Sequence, residues 1–197
     1  RFVCFFTLDG DTGKQLMTIH LVLGGARSGK SSFAEAQTDM MSAHKTKHYV
    51  ATAIAFDEEM RKRIAHHQAS RGESWVEHEC PVDLVKLIPQ FNSSDVILID
   101  CLTLWLNNII YNEGETLTEL EIKQRVEALV LALQQSKADI LLVSNEVGLG
   151  VIPLGEISRL FVDHAGWMNQ AIAKIADKVT FVAAGLPMTL KESNDFE

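Results

Sequence analysis

The chain has 197 residues, with 18 Lys and Arg against 26 Asp and Glu, for a formal net charge of −8. Its 47% apolar and 22% charged content is that of a folded domain rather than a disordered segment. The acidity counts against a general nucleic-acid binder but not against a local phosphate site built from backbone amides. Three cysteines, Cys4, Cys80 and Cys101, are too few and too scattered for a disulfide framework and fit a reducing, cytoplasmic compartment.

Residues 1–16 read unlike the rest of the chain. Their apolar run, Phe2 to Leu8, is too short for a bilayer and lacks a signal-peptide cleavage site. Met17 directly precedes a strand-like run. The expectation is an extension over 1–16, mobile or adventitious, and one nucleotide-binding catalytic domain over 17–197. No stretch of the sequence is apolar and long enough to be transmembrane.

From Thr18 onward, short β-rich runs alternate with longer helical ones. Ile19 to Leu23 reads as a strand, Lys30 to Ala43 as a helix and Lys47 to Ala53 as a strand. Asp57 to Ser70 reads as a helix opening on three acids, with Met60, Ile64 and His67 on one face. Trp75 to Glu79 is a short strand, Pro81 opens a helix carrying Leu84, Leu87 and Ile88, and Val96 to Ile99 is a strand ending at Asp100. Leu102 to Tyr111 is apolar nearly all round and reads as a buried helix. Leu117 to Leu133 is amphipathic, with Leu117, Leu120, Val126, Leu129, Val130 and Leu133 on one broad face. Ile140 to Ser144 is a buried strand, Asn145 to Pro153 a Gly-punctuated loop, Leu154 to Ala176 helical with Gly166 weakening its continuity, and Lys178 to Ala184 a last strand closed by Gly185 and Pro187. This alternation predicts βαβ units and a mostly parallel sheet flanked by helices.

Gly24-Gly25-Ala26-Arg27-Ser28-Gly29-Lys30-Ser31 matches G-x-x-x-x-G-K-[ST] and lies between a predicted strand and a predicted helix, where the mechanism needs it. By residue frequencies the bare pattern arises in about 1 in 100 chains of this length, and its context cuts that further. The glycines let backbone N–H groups face an anion, the helix N-terminus adds positive partial charge, Lys30 reaches the β- and γ-phosphates, and Ser31 suits Mg²⁺. A second acidic anchor for the metal is Asp100, at the end of an apolar strand as a Walker-B acid is; the plainer reading is a turn or cap residue.

These features establish nucleoside triphosphate handling without fixing the reaction. No base-reading N-K-x-D occurs, which counts against a regulatory GTPase, and the lone D-x-x-G, Asp163 to Gly166, falls inside a helical stretch. A kinase, a nucleotidyl transferase and an ATP-driven motor remain; small size counts against the motor. Arg63 to Arg71 places two adjacent histidines, His66 and His67, beside arginines. A histidine nitrogen can attack an α-phosphate and split one transfer into two. Plain surface histidines are the competing reading, and a zinc site from His66, His67, His78 and Cys80 matches no standard spacing.

The blocks GGARSGKS (24–31), YVATA (49–53), DEEMRKRIAHHQASR (57–71), the W-x-x-x-E of Trp75 and Glu79, DCLTLWLNN (100–108), VSNEVGLGVIP (143–153), RLFVDHAGWMNQAIAKIAD (159–177) and GLPMTLK (185–191) together resemble the bifunctional adenosylcobinamide kinase / adenosylcobinamide-phosphate guanylyltransferase family of cobalamin biosynthesis. They occur in family order over residues 18–191. Asp100 stands where the family often has Glu.

The resemblance implies a RecA-like P-loop fold, a trimeric homo-oligomer and two reactions. A nucleoside triphosphate, ATP or GTP, phosphorylates adenosylcobinamide. GMP from GTP then passes through a guanylyl-histidine to the corrinoid phosphate, giving adenosylcobinamide-GDP. His66 matches the family's guanylylated histidine. The guanine nucleotide contacts fall on Gly24 to Ser31, on Ala51 and Thr52, on His67, Gln68, Ala69 and Ser70, and on Glu79 and Asp100. Lys30 and Asp100 join His66 as catalytic groups, with Mg²⁺ on Ser31 and Asp100. A kinase without guanylyl transfer and a non-catalytic GTP-binding module are the alternatives. Asn145 and Glu146 are weaker candidates at the sheet's carboxyl edge, Asp163 and Asn169 are candidates on the following helix, and Trp105 and Trp167 read as packing or interface residues.

Overall fold

The computed structural model describes residues 17–54, 58, 74–111, 117–150 and 153–192. In chain order the elements are β1 (Ile19–Gly24), α1 (Lys30–Met41), β2 (Thr46–Ala51), β3 (Trp75–Glu79), α2 (Leu84–Leu87), a 3₁₀ turn (Ile88–Gln90), β4 (Asp95–Asp100), α3 (Leu102–Tyr111), α4 (Glu119–Gln134), β5 (Asp139–Asn145), α5 (Glu156–Ile175), β6 (Lys178–Ala183) and β7 (Leu186–Lys191).

The strands form one seven-stranded sheet in the order β3-β2-β4-β5-β1-β6-β7. Every pairing is parallel except β6 with β7. The central strands are buried on both faces, as their near-continuous Val, Ile and Leu content demands. One face carries Val22, Val96, Leu98, Leu141 and Val143 and is covered by α1 with Ala34. The other carries Leu21, Ile97, Ile99, Ile140 and Leu142 and is covered by α2 to α5. This is the P-loop α/β fold, RecA-like in having β5 inserted between the loop-bearing β1 and β4.

At the sheet's amino edge two acids pin β1. Asp139 accepts the Thr18 N–H at 2.8 Å and Asp177 accepts the Ile19 N–H at 2.7 Å.

The differences from expectation have local causes. β7 is a strand where Gly185 and Pro187 suggested a terminus. The chain turns at Ala184 and Gly185, both with positive φ, as a two-residue hairpin requires. Pro187 is tolerated because β7 is the edge strand. The helix expected from Pro81 starts three residues later, behind Asp83. Pro81 instead supplies a carbonyl to Asn108. In α4, Thr118 and Glu121 form a capping box that fixes the helix start. That leaves Leu120 exposed and turns Ile122 inward. Gly166 does not interrupt α5. The helix expected over Asp57 to Ser70 lies outside the described residues.

Candidate nucleotide-binding site

β1 runs straight into the loop Gly24 to Gly29, and α1 begins at Lys30. Two glycines there are sterically dictated. A Cβ on Gly24 would lie 2.5 Å from both Ser28 Oγ and the Val182 carbonyl oxygen. Gly29, with φ 92°, is in the left-handed region, and its missing Cβ would crowd Gly185 Cα at 3.2 Å. Arg27 also has positive φ and is exposed with Ala26. The loop is closed by the Ser28 N–H on the Gly25 carbonyl and by the Gly185 N–H on the Ser28 carbonyl at 2.8 Å.

Three features suit this concavity to an anion. The Lys30 ammonium is buried and donates to the Gly25 carbonyl at 3.1 Å, so the charge is held inside the loop. The Ser28 hydroxyl is buried with no hydrogen-bond partner among the described residues. The first turn of α1, including half-buried Ser31, carries no acidic side chain to offset its positive end.

Asp100 is the last residue of β4. It follows Val96 and Leu98 in alternation onto the face covered by α1, the face from which the loop enters its helix. Tyr49, on the same face of β2, donates its hydroxyl to Asp100 Oδ2 at 3.3 Å. Beyond it, the Thr52 hydroxyl donates to the Cys101 carbonyl at 2.7 Å and accepts the Cys101 N–H at 2.8 Å. Thr52 is fully buried, so its side chain positions the Asp100 corner. Asn108, reaching up from α3, caps the Thr52 carbonyl at 2.8 Å. The Asp100–Cys101 peptide bond is cis. Burial, with the Asp100 charge second, pushes the Cys101 thiol up to about 11, which keeps it protonated.

β5 ends between these two halves. Asn145 donates its side-chain amide to Thr103 Oγ1 at 2.8 Å. Its carbonyl accepts from Asn169, whose own Oδ1 is held by Ser144. The Glu146 N–H donates to the Gly24 carbonyl at 3.1 Å.

The carboxyl edge of the sheet thus gathers the candidates, which is where open α/β sheets bind ligands. In register, Gly24 faces Asn145, and Ala51 faces both Asp100 and Glu79. The loop residues and Lys30 lie at β1, Asp100 two strands away, and Ala51 and Thr52 one further. Exposed Glu79 on β3 is four strand spacings from β1, about 19 Å, too far to touch a phosphate in the loop. His66, His67, Gln68, Ala69 and Ser70, with Arg63 and Arg71, lie outside the described residues, in the segment linking β2 to β3.

Sequence reasoning missed Tyr49, Thr103, Asn108 and the Gly185 amide as supports of the site. All four lie within the matching blocks YVATA, DCLTLWLNN and GLPMTLK, but only Tyr49 carried a positional signal besides, its i, i+2 relation to Ala51 on a strand. Of the zinc candidates, His78 is hydrogen-bonded to His48 at 3.0 Å. Among the described residues no three His, Cys, Asp or Glu side chains converge as metal ligands. Trp105 is a packing residue, with its indole N–H on the Val82 carbonyl at 2.8 Å, whereas Trp167 is exposed.

The family model described as "Cobinamide kinase / cobinamide phosphate guanyltransferase" matches residues 20–190, nearly the whole described chain. The chain belongs to this family. Among its curated members, the bifunctional adenosylcobalamin biosynthesis protein CobP of Pseudomonas aeruginosa is 46% identical over 175 residues, covering 87% of this chain and 96% of that one. The bifunctional adenosylcobalamin biosynthesis protein CobU of Escherichia coli is 35% identical over 181 residues, covering 87% and 98%. Among solved structures, the flagellar accessory protein FlaH of Methanocaldococcus jannaschii superposes with a TM-score of 0.47 at 14% identity, over 89% of this chain and 78% of that one.

Proposed function

We propose that this chain catalyses two successive steps of cobalamin biosynthesis, the phosphorylation of adenosylcobinamide and the guanylylation of the product to adenosylcobinamide-GDP. The observation that carries the reading is the loop of Gly24 to Ser31, with its buried ammonium and unpartnered Ser28 hydroxyl, on the same sheet face as Asp100. Family membership supplies the substrate class.

The triphosphate occupies the loop, held by its N–H groups, by Lys30 and by the N-terminus of α1. Its nucleoside end runs along the carboxyl edge towards Ala51, Thr52 and Glu79, a direction supported by their register across β4, β2 and β3. In the kinase step the corrinoid hydroxyl forms a bond to the γ-phosphorus, the bond to the β,γ-bridging oxygen breaks, and a nucleoside diphosphate leaves. In the transferase step a neutral His66 nitrogen bonds the α-phosphorus of GTP as pyrophosphate leaves. The corrinoid phosphate oxygen then displaces the imidazole. A neutral imidazole carries the lone pair this attack needs. His67, Gln68, Ala69 and Ser70 flank the nucleotide on this reading, with Glu79 at its base or ribose end.

The Ser31 hydroxyl and the Asp100 carboxylate are hard oxygen donors and fit Mg²⁺. When bound there, the ion would neutralise triphosphate charge. Lys30 adds a fixed cation at the same place, and Tyr49 holds the Asp100 carboxylate in one orientation. The exposed apolar side chains Leu154, Ile157 and Trp167 suit burial in a homotrimer, which sedimentation velocity checks. No described helix is long and apolar enough to cross a membrane; the reading places the enzyme in the cytoplasm.

Incubation with α-labelled GTP tests the central step. The expected product is a covalent, acid-labile, base-stable GMP adduct, absent in His66→Ala. Cobinamide phosphate without the adduct would leave a kinase alone, and tight GTP binding with neither product would leave a binding module.

A further inference from the structure

The kinase step releases a proton from the corrinoid hydroxyl, and Lys30, Asp100 and His66 leave it without an acceptor. Lys30 is a cation, Asp100 is placed for the metal, and His66 belongs to the other half-reaction. We propose that Glu146 is the general base of the phosphoryl transfer. This rests on the bifunctional reading and assigns one further group within it.

The sheet order places Glu146 where the reaction must occur. β5 lies between β1, which carries the loop, and β4, which ends in Asp100. Whatever leaves the carboxyl end of β5 emerges between the phosphate loop and the metal-side acid. Asn145 is the first such residue, but its amide is spent on Thr103 and its carbonyl on Asn169. Glu146 is next. Its N–H is bonded to the Gly24 carbonyl at 3.1 Å, which fixes its backbone against the first residue of the loop.

Glu146 as a whole residue is half-buried. Among the described residues its carboxylate takes one hydrogen bond, from the Gly148 N–H to Oε1 at 3.1 Å. That bond holds the side chain in one place and leaves acceptor capacity on both oxygens, since a carboxylate offers about four lone-pair sites. No described cation is paired with it. Asp95, Asp139 and Asp177 sit at the amino edge of the sheet, the far side from the loop, where they hold backbone N–H groups.

In the proposed step the Glu146 carboxylate accepts the hydroxyl hydrogen bond and takes the proton as the O–P bond forms. The electron pair of the breaking γ-phosphorus–oxygen bond leaves with the nucleoside diphosphate. The protonated Glu146 then returns its proton to water. The guanylylation of His66 needs no such base, because a neutral imidazole has no proton on its attacking nitrogen.

The two half-reactions therefore separate in a Glu146→Gln variant of the full chain. Cobinamide phosphorylation, followed with γ-labelled triphosphate, falls about 10²-fold or more in kcat with little change in the KM for cobinamide. The acid limb of the wild-type pH–rate profile disappears, and Glu146→Asp restores part of the rate. The GMP adduct from α-labelled GTP still forms on the same preparation, which reports an intact fold and loop. Phosphorylation by Glu146→Gln at the wild-type rate, or parallel loss of both reactions, overturns the assignment. Wild-type protein that forms neither product overturns the bifunctional reading itself.

Discussion

Thr52 and Cys101 hold each other by a reciprocal pair of hydrogen bonds, the threonine hydroxyl donating to the Cys101 carbonyl and accepting its N–H. The pair fastens the exit of β2 to the exit of β4, one residue past Asp100. Thr52→Val keeps the shape but leaves the buried Cys101 amide unbonded. An unsatisfied buried group of this kind costs about 1–3 kcal/mol. Urea unfolding is expected to show that loss, and kcat is expected to fall because Asp100 shares the corner.

The loop glycines differ in what they permit. Gly24→Ala forces a Cβ against a hydroxyl and a backbone carbonyl, both at 2.5 Å, whereas a Cβ on Gly25 meets nothing within 4 Å. Overpacking costs about 1–3 kcal/mol, so Gly24→Ala is expected to lower the melting temperature and nucleotide affinity together. Gly25→Ala is expected to change stability by less than about 0.5 kcal/mol. Thermal melts with and without GTP distinguish the two.

Stability is expected to fall in mild acid, with His20 as a main cause. Burial, then the nearby Lys178 charge, lowers this histidine to about 4. Its ring bonds Thr180 at 2.9 Å. Unfolded, it takes up a proton near pH 6.5 that the native state refuses. The stabilisation is complete above pH 6.5 and is lost as pH falls towards 4, amounting to about 2 kcal/mol by pH 5. His78 and His164 are also lowered by burial and act with the same sign. In His20→Gln the drop in urea midpoint between pH 7 and pH 5 is expected to be smaller than in wild type.

Neither described cysteine is expected to react in the folded protein. Cys101 lies buried with its thiol raised to about 11, and burial raises Cys80 as well. At pH 8 the thiolate fraction of Cys101 is about 1 in 1,000. Iodoacetamide labelling followed by mass spectrometry is expected to leave both unmodified until denaturant is added.

The sequence made the sheet and the loop legible because both are written locally. The run from Ile19 to Leu23 can only be a buried strand, and the spacing from Gly24 to Ser31 is the loop's own geometry. The supports of the site were not legible, because they are made between distant segments. Thr103 and Asn108 read as ordinary positions in an apolar helix. Only the fold brings one to Asn145 and the other to Thr52. Thr52 matched as a nucleotide contact through its family block, and the fold adds that its hydroxyl bonds the Cys101 backbone. β7 was hidden by Gly185 and Pro187, which look like terminators until a hairpin at the sheet edge makes use of both.

The bond from the Gly185 amide to the Ser28 carbonyl bears on the order of events during synthesis. β1 is central, yet its neighbours are β5 and β6, and its first amide waits for Asp177, 158 residues downstream. A ribosome releases the phosphate loop early, long before the strands that brace it exist. Contacts so distant along the chain form late. The nascent chain is therefore a nucleotide site in sequence well before it is one in structure, and a chain ending before Gly185 would keep only the loop's own Ser28–Gly25 bond to close it.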